Sequence, residues 1–595
     1  MAGINIEIEM NFLRNLLAAI IGSLIAFGIM FIMFLLFVSL VGGAEDGVVI
    51  KDNSILELQM QHPINDYVGN NEADPFASFF GRAQGLDEIL HAIQVAKTDT
   101  DIKGISISNN FIKAGLAQTQ AIRKALKDFK ESGKFIYTYG DFYMQKDYYL
   151  ASVADSIFLN PVGGMDFKGL STEVLFYKDL QEKTGVKMEV IRHGKYKSAV
   201  EPFLANEMSD ANRTQIKELI SSLWDTMVAD ISEGRNISED NVNIIADTLG
   251  GRSPKFAKAS GLIDDILFFD QYEDKLRTAI TIDAKDEINY VSLKDYTKRS
   301  NKKTIKKGTD KVAVVFAQGE IFYGEGGPNI IGQGIITKAL VKARDDDKVK
   351  AIVLRVDSPG GSALTSDIIW REVELAKEKK PVVVSMGNVA ASGGYYIAAG
   401  ADMIYAEPTT ITGSIGVFGT IPNINELAAN IGINAEQVGT NKNSVDYSIF
   451  EPMTDDFRNV VQEGVEQTYE TFLERVAQGR NITVAQADSM AQGRVWSGID
   501  AKKLGLVDEL GNLDDAIAAA AELAKIESYG VKKYPKYKTG FEKFMEDMSG
   551  VKSKIGQRFI IEEIGEETFD ILKQMKSTLG QKGVQARMPF ILDIK

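Results

Sequence analysis

Ser392 stands where a nucleophile would be presented. It lies in Met386–Tyr396, M-G-N-V-A-A-S-G-G-Y-Y, after the apolar run Pro381–Ser385, which reads as a buried strand, and before I-A-A-G-A, which reads as a short helix. A small hydroxyl at a strand-to-helix turn, with Gly393 and Gly394 leaving the backbone bare behind it, is unobstructed. The first N–H groups of the helix, Gly393 foremost, face the place where an oxyanion would develop. The same stretch also fits a glycine-rich turn whose serine merely caps a helix. A second turn, D-S-P-G-G-S (Asp357–Ser362), follows the apolar run Ala351–Val356. It offers N–H groups at the C-terminal end of a strand, the edge where open α/β sheets bind ligands, although an ordinary tight turn reads the same way.

A nucleophilic serine needs a base. The chain has no cysteine, which excludes thiol chemistry and Cys-based metal sites, and only three histidines, His62, His91 and His193, none at metal-ligand spacing, which argues against a His-ligated one. No cofactor motif is found. The economical base is a lysine kept neutral by burial. Two stand at equivalent points of an internal repeat: Lys197 in G-K-Y-K-S-A-V-E-P-F and Lys442 in G-T-N-K-N-S-V-D. Either also reads as a solvated surface lysine, the usual fate of that residue.

That repeat sets the architecture. Met208-Ser209-Asp210 recurs as Met453-Thr454-Asp455 and Gly234-Arg235-Asn236-Ile237 as Gly479-Arg480-Asn481-Ile482, both 245 residues apart. Y-Y-L-A-S-V-A-D (Tyr148–Asp155) parallels Y-Y-I-A-A-G-A-D (Tyr395–Asp402), and A-S-G-L-I-D-D-I parallels K-L-G-L-V-D-E-L. Register held over such a length means duplication. Each copy alternates short apolar runs with helical patterns, which predicts α/β domains with largely parallel sheets. Register places Gln145 opposite Ser392, and N-N-F-I-K-A-G (Asn109–Gly115) lacks the Gly-Gly of the second copy, so only one copy carries the nucleophile.

At 595 residues, with 45% apolar and 25% charged residues, the chain is a multi-domain globular protein, and its net charge of −15 argues against a nucleic-acid partner. Leu16–Val41 carries no charge and is long enough to cross about 30 Å of hydrocarbon, too long for a cleaved leader. Arg14 before it, and Glu45 and Asp46 after it, favour an N-terminus inside and a body outside. The expected organisation is a cytoplasmic 1–15, an anchor at 16–41, a first repeat at 47–297, a basic linker at 298–310, a second repeat at 311–524 and an extension at 525–595. The extension carries Tyr534-Pro535-Lys536-Tyr537 and a closing apolar run, Pro589–Leu592.

The anchor, the duplicated body, G-K-Y-K-S-A-V-E-P-F, D-S-P-G-G-S, N-V-A-A-S-G-G-Y-Y and I-T-G-S-I-G-V-F-G together resemble the long, two-copy form of the signal peptide peptidase A (protease IV) family. The resemblance spans nearly the whole chain after the anchor. It implies a Clp protease and crotonase-like fold and a serine/lysine dyad: Ser392 as nucleophile, Lys197 as general base and acid, and Ser414 orienting the lysine. It also implies Gly361 as an oxyanion donor beside Gly393. Members assemble as membrane-tethered homotetramers that degrade cleaved signal peptides and other hydrophobic peptides at the bacterial cytoplasmic membrane, with the catalytic body extracytoplasmic. Lys442 departs from the long form as an alternative base; if copies alternate round a ring, it would meet Gln145. The competing readings are a broader membrane-protein quality-control protease, a crotonase-like CoA enzyme and an inactive scaffold.

Overall fold

The computed structural model describes residues 17–33, 50–69, 84–109, 111–301, 308–444, 447–537 and 585–588. The chain divides into two units. In the first, comprising 1–49, 70–82 and 538–552, the described stretch 17–33 is helical and exposed along its length. Leu16 and 34–41, the remainder of the expected anchor, lie outside the described residues, as does the run Pro589–Leu592. Among the described residues no helix is long and apolar enough to cross a membrane.

Both repeats lie in the second unit. In the first copy, strands β1 (Ser54–Glu57), β2 (Ile102–Ser108), β3 (Phe135–Tyr143) and β4 (Ser156–Met165) form an all-parallel sheet, extended by Asp265–Ile266 beyond β4 and by Tyr290–Ser292 beyond β1. Helices α1 (Leu116–Lys130) and α2 (Gln145–Ala151) follow β2 and β3. Strand β5 (Lys187–His193), the 3-10 turn Ser198–Phe203 and the long helix α3 (Asp210–Arg235) complete what this copy brings to the site.

The second copy repeats the pattern. Strands β6 (Asp310–Gln318), β7 (Val349–Ser358), β8 (Gly360–Ser362), β9 (Val382–Ala391) and β10 (Val417–Asn423) are interleaved with α4 (Gln333–Asp345), α5 (Ala363–Lys377) and α6 (Gly393–Ala398). Helices α7 (Asp455–Arg480) and α8 (Leu513–Leu523) follow. Strands β6, β7 and β9 are parallel neighbours. Val315 and Leu354 face a core shared with Ile369 and Val373 of α5, whereas Val314 and Val353 face Ala516 and Ile517 of α8. Burial on both faces is why these strands read as unbroken apolar runs rather than as alternating ones.

The duplicated motifs have matching structural duties. Helices α3 and α7 are each 26 residues long, capped by the hydroxyls of Ser209 and Thr454, and ended by Asn236 and Asn481 in the left-handed conformation. A Cβ on Gly234 or Gly479 would overlap the carbonyl oxygen of Ser152 or Ala399, so each long helix meets the C-terminal end of α2 or α6 at backbone contact. Arg235 and Arg480 then bind Asp264 and Asp508.

The chain departs from the sequence expectation at three places. Strand β9 runs on from Ser385 to Ala391, because after a bulge Val389–Ala391 pair with Ile411–Gly413. The expected linker begins as helix: Leu293–Ser300 ends inside it, and Arg299 binds Asp99 and Asp101 (3.1 and 2.6 Å) instead of being solvated. Residues 302–307 lie outside the described residues. The extension contributes β11 (Tyr529–Tyr534), parallel to β6, and β12 (Gln585–Arg587), antiparallel to β8.

Two contacts lock the copies together. Strand β5 of the first copy pairs antiparallel with β10 of the second over seven residues, from Lys187 opposite Asn423 to His193 opposite Val417. Arg355 in β7, fully buried, pairs with Asp66 at 2.6 Å and donates to Ser385 Oγ and to the Met386 carbonyl, both at 2.8 Å. Removing one member of such a buried pair typically costs about 3–5 kcal/mol.

Candidate active site

Ser392 stands between β9 and α6 with φ 54° and ψ −115°. A non-glycine residue in this region is strained, and the strain is held because its N–H donates to the Gly413 carbonyl (2.8 Å) while its own carbonyl accepts from Tyr396 N–H (2.8 Å). The side chain makes no capping bond. The capping alternative thus does not describe this serine.

Pairing of β5 with β10 carries the following loop, Gly194–Lys197, of the first copy into the second. Tyr196 N–H donates to the Gln492 carbonyl (2.8 Å), and Lys197 Nζ then lies 2.8 Å from Ser392 Oγ, 3.0 Å from Ser414 Oγ and 3.1 Å from the Ser414 carbonyl oxygen. Lys197, Ser392 and Ser414 are each 0% exposed. Desolvation holds the Lys197 amine well below the ordinary lysine range. Ser414, also at positive φ (51°), is fixed by its N–H donating to the Arg494 carbonyl at 2.6 Å.

The lysine loop is braced by a network that sequence reasoning missed. Buried Glu201 accepts from Ser209 N–H (3.2 Å) and Asn212 Nδ2 (2.6 Å), while Gln215 Nε2 donates to the Tyr196 carbonyl (3.0 Å) and Ser198 Oγ (2.7 Å). Helix α3 therefore holds the segment carrying Lys197. The available signal was the glutamate of Y-K-S-A-V-E-P, which stood in a motif already quoted.

Gly361 and Gly393 flank the serine from two elements. Strand β8 follows the Pro-Gly turn, and Gly360 and Gly361 both have positive φ, 97° and 151°, which a side chain would resist. A Cβ on Gly360 would come 2.7 Å from Gly393 N, so the β8 turn and the start of α6 lie against one another. Asp357, partly buried, accepts from Val389 N–H at 3.0 Å; desolvation and nearby Asp66 raise its carboxyl above the usual range. Beside Ser392, Ala391 packs with Ile411 and Val495, with Leu219 and Leu223 of α3, and with Met588.

In the first copy Gln145 occupies the corresponding turn at the start of α2. Its Oε1 accepts from Lys168 and Gly169 N–H (both 2.9 Å) and its Nε2 donates to the Gly169 carbonyl (2.8 Å), closing the gap between α2 and the loop after β4. Lys442, the other lysine the repeat singled out, is on the surface with 84% of its side chain exposed and pairs with Asp456 at 3.2 Å. The structure thus brings Lys197, Ser392 and Ser414 together and leaves Lys442 outside.

Comparison with known proteins agrees with two related halves. The family model described as Peptidase family S49 matches residues 128–283 and 374–527, once in each copy. Protease 4 of Haemophilus influenzae is 37% identical over 484 residues, covering 80% of this chain and 77% of its own length. Protease 4 of Salmonella typhi is 40% identical over 476 residues, with 78% and 76% covered. The chloroplastic serine protease SPPA of Arabidopsis thaliana is 31% identical over 486 residues, with 80% and 70% covered. Among solved structures, a ClpP1 mutant from Listeria monocytogenes matches 34% of this chain and 94% of its own at 16% identity, with a TM-score of 0.24. Two family matches in one chain, and relatives aligned along most of their length, establish that this protein belongs to peptidase family S49 and is a serine peptidase.

Proposed function

We propose that Ser392 is the nucleophile and Lys197 its general base in a membrane-anchored endopeptidase that degrades cleaved signal peptides and other hydrophobic peptides. The observation that carries this reading is the 2.8 Å approach of Lys197 Nζ to Ser392 Oγ in a fully buried setting. A neutral amine has two N–H bonds and one lone pair. The Ser414 carbonyl and hydroxyl oxygens accept the two N–H bonds, which aims the lone pair at the serine proton. Ser392 attacks the peptide carbonyl as Lys197 takes its proton, and the lysine returns that proton to the leaving amine. Water then deacylates the serine. The N–H groups of Gly361 and Gly393 hold the oxyanion through both steps. A Clp protease and crotonase-like ancestry belongs to the same reading.

The apolar cluster that includes Met588 and Ala391, the residue before Ser392, suits hydrophobic peptides. The exposed helical stretch 17–33, with Leu24 and Phe27 two-thirds exposed, supports an anchor over 16–41 in the cytoplasmic membrane with the body extracytoplasmic. The homotetramer finds support in the repeat itself. The segment 245 residues beyond β5, 432–438, is in no sheet and leaves Val438 95% exposed. Its counterpart partner, 172–178, is in no sheet either and leaves Leu175 57% exposed. Pairing these two between chains repeats the β5–β10 junction from one protomer to the next.

The test is hydrolysis of a quenched fluorescent Leu/Ala-rich peptide by the full chain in detergent. Ser392→Ala and Lys197→Ala lower kcat/KM by about a thousandfold or more, and Lys442→Ala stays within about twofold. Loss of activity with Lys442→Ala alone reassigns the base.

A further inference from the structure

Strand β9 has a gap in its pairing just before the nucleophile. Met386 is the last residue opposite β7 before the bulge and Val389 the first opposite Ile411, so Gly387 and Asn388, between them, have no partner strand among the described residues. Side chains hold this stretch instead. Arg355 donates to the Met386 carbonyl (2.8 Å), Thr410 Oγ1 donates to the Gly387 carbonyl (2.7 Å), and Val389 N–H donates to Asp357 (3.0 Å). Asn388 is held from the first copy. Its Oδ1 accepts from the N–H of Gln118, in the first turn of α1, at 3.0 Å, and its Nδ2 donates to Asp357 Oδ2 at 3.4 Å. Asn388 thus does for α1 what an N-cap side chain does. Gly115, which precedes α1, has a φ of −72° that any residue adopts, so what the glycine provides is space: a Cβ there would lie 2.2 Å from Asn388 Cγ. The repeat sharpens the point. The spacing that sets Gln145 opposite Ser392 also sets Gly115 opposite Ser362 and Gln118 opposite Thr365. Ser362 Oγ accepts from Thr365 N–H at 3.3 Å, so α5 is capped from within, whereas α1 takes its cap from the other copy. A second link runs alongside, because Gln118 Nε2 donates at 2.9 Å to Asp66, the partner of Arg355.

We propose that Asn388 is a positioning residue for Ser392, tying the bulge of β9 to the copy that supplies Lys197. The proposal rests on the assignment of Ser392 and Lys197 made above. Ser392 comes four residues after Asn388, and Ala390 and Ala391 between them pair with Thr412 and Gly413, which lead into Ser414. A shift of the bulge therefore moves the nucleophile and the hydroxyl that orients the lysine together. Strand β5 fixes the base across the junction between copies, and Asn388 fixes the nucleophile across it in the opposite direction. The 2.8 Å approach of Lys197 Nζ to Ser392 Oγ depends on both ties, and a misplacement of about 1 Å can cost about a hundredfold in rate.

Steady-state hydrolysis of a quenched Leu/Ala-rich peptide added to the full chain in detergent tests this, with urea unfolding followed on the same samples. Asn388→Ala is expected to lower kcat about tenfold with KM within about twofold, and to lower the unfolding midpoint. Adding Gly115→Ser gives α1 a cap of its own in the space the asparagine leaves, as Ser362 does for α5. The midpoint should then recover while kcat stays low, because a cap confined to the first copy does not reach the bulge. Recovery of kcat together with the midpoint overturns the proposal and leaves Asn388 a helix cap, as does a wild-type kcat in Asn388→Ala. A fluorophosphonate reads the serine without peptide binding: at equal folded fraction Asn388→Ala should label about tenfold more slowly, and an unchanged rate overturns the proposal while leaving the dyad standing. Undiminished hydrolysis by Ser392→Ala, assayed in parallel, overturns the nucleophile and the role of Asn388 with it.

Discussion

The two copies share a scaffold and part company at one turn. In the second, a strained serine at the head of α6 leaves room for an amine, and that room is filled by Lys197 from the other copy. In the first, Gln145 spans the same gap with its own amide, satisfying the N–H groups of Lys168 and Gly169. A buried neutral amide with three bonds made is inexpensive, whereas a buried amine has been stripped of its hydration. The comparison teaches that the fold does not require a reactive centre at this turn. One copy keeps the gap closed and stable while lending its lysine to the other, where the gap stays polar and poised.

Replacing the amine tests the contrast hardest. Lys197→Met abolishes peptide hydrolysis, by about a thousandfold or more, and raises stability near neutral pH. The sign follows from proton counting. Burial depresses the folded-state pKa of Lys197, so between that value and 10.5 the unfolded chain binds one more proton and stability rises with pH. Urea unfolding in detergent at several pH values should show a wild-type slope exceeding that of Lys197→Met by at most about 1.4 kcal/mol per pH unit. Hydrolysis by the wild type rises with pH across the same folded-state pKa.

A methyl group at Gly361 should cost about a hundredfold in kcat with KM moving less, because its Cβ would overlap the Ile321 carbonyl and shift the N–H offered to the oxyanion. Steady-state kinetics on the added peptide reads the split. Ser414→Ala should cost about tenfold and move the acid limb of the pH profile, since one of the two groups that aim the lysine is lost. The smallest effect is expected from Gln145→Ser. A serine there gains no labelling by a fluorophosphonate probe, because Lys442 is on the surface and Asn109–Gly115 supplies no glycine strand. Labelling at position 145 would break the comparison.

Much of this was legible in the residues. Ser392 announced its turn through Gly393 and Gly394, and the 245-residue repeat foretold two α/β copies and narrowed the lysines to a pair at equivalent points. Choosing between that pair from composition alone was impossible, because the choice depends on β5 pairing with β10, a contact between residues more than two hundred apart. Strand β9 extends past Ser385 through small residues whose pairing begins only after a bulge. Gln585–Arg587 has no strand pattern of its own; it is extended because β8 and β10 receive it on either side. Glu201 was visible, but its duty emerges only when Asn212 and Ser209 arrive from the start of α3.

The seven-residue seam between β5 and β10 also sets a timetable. While a ribosome is still working through the first half, the amine exists with no hydroxyl to deprotonate, and the hydroxyl emerges only with residues made much later. On the reading proposed above, the site is therefore incomplete until both copies have been made. A chain interrupted before Val417 has no second strand with which to seat the loop that carries Lys197.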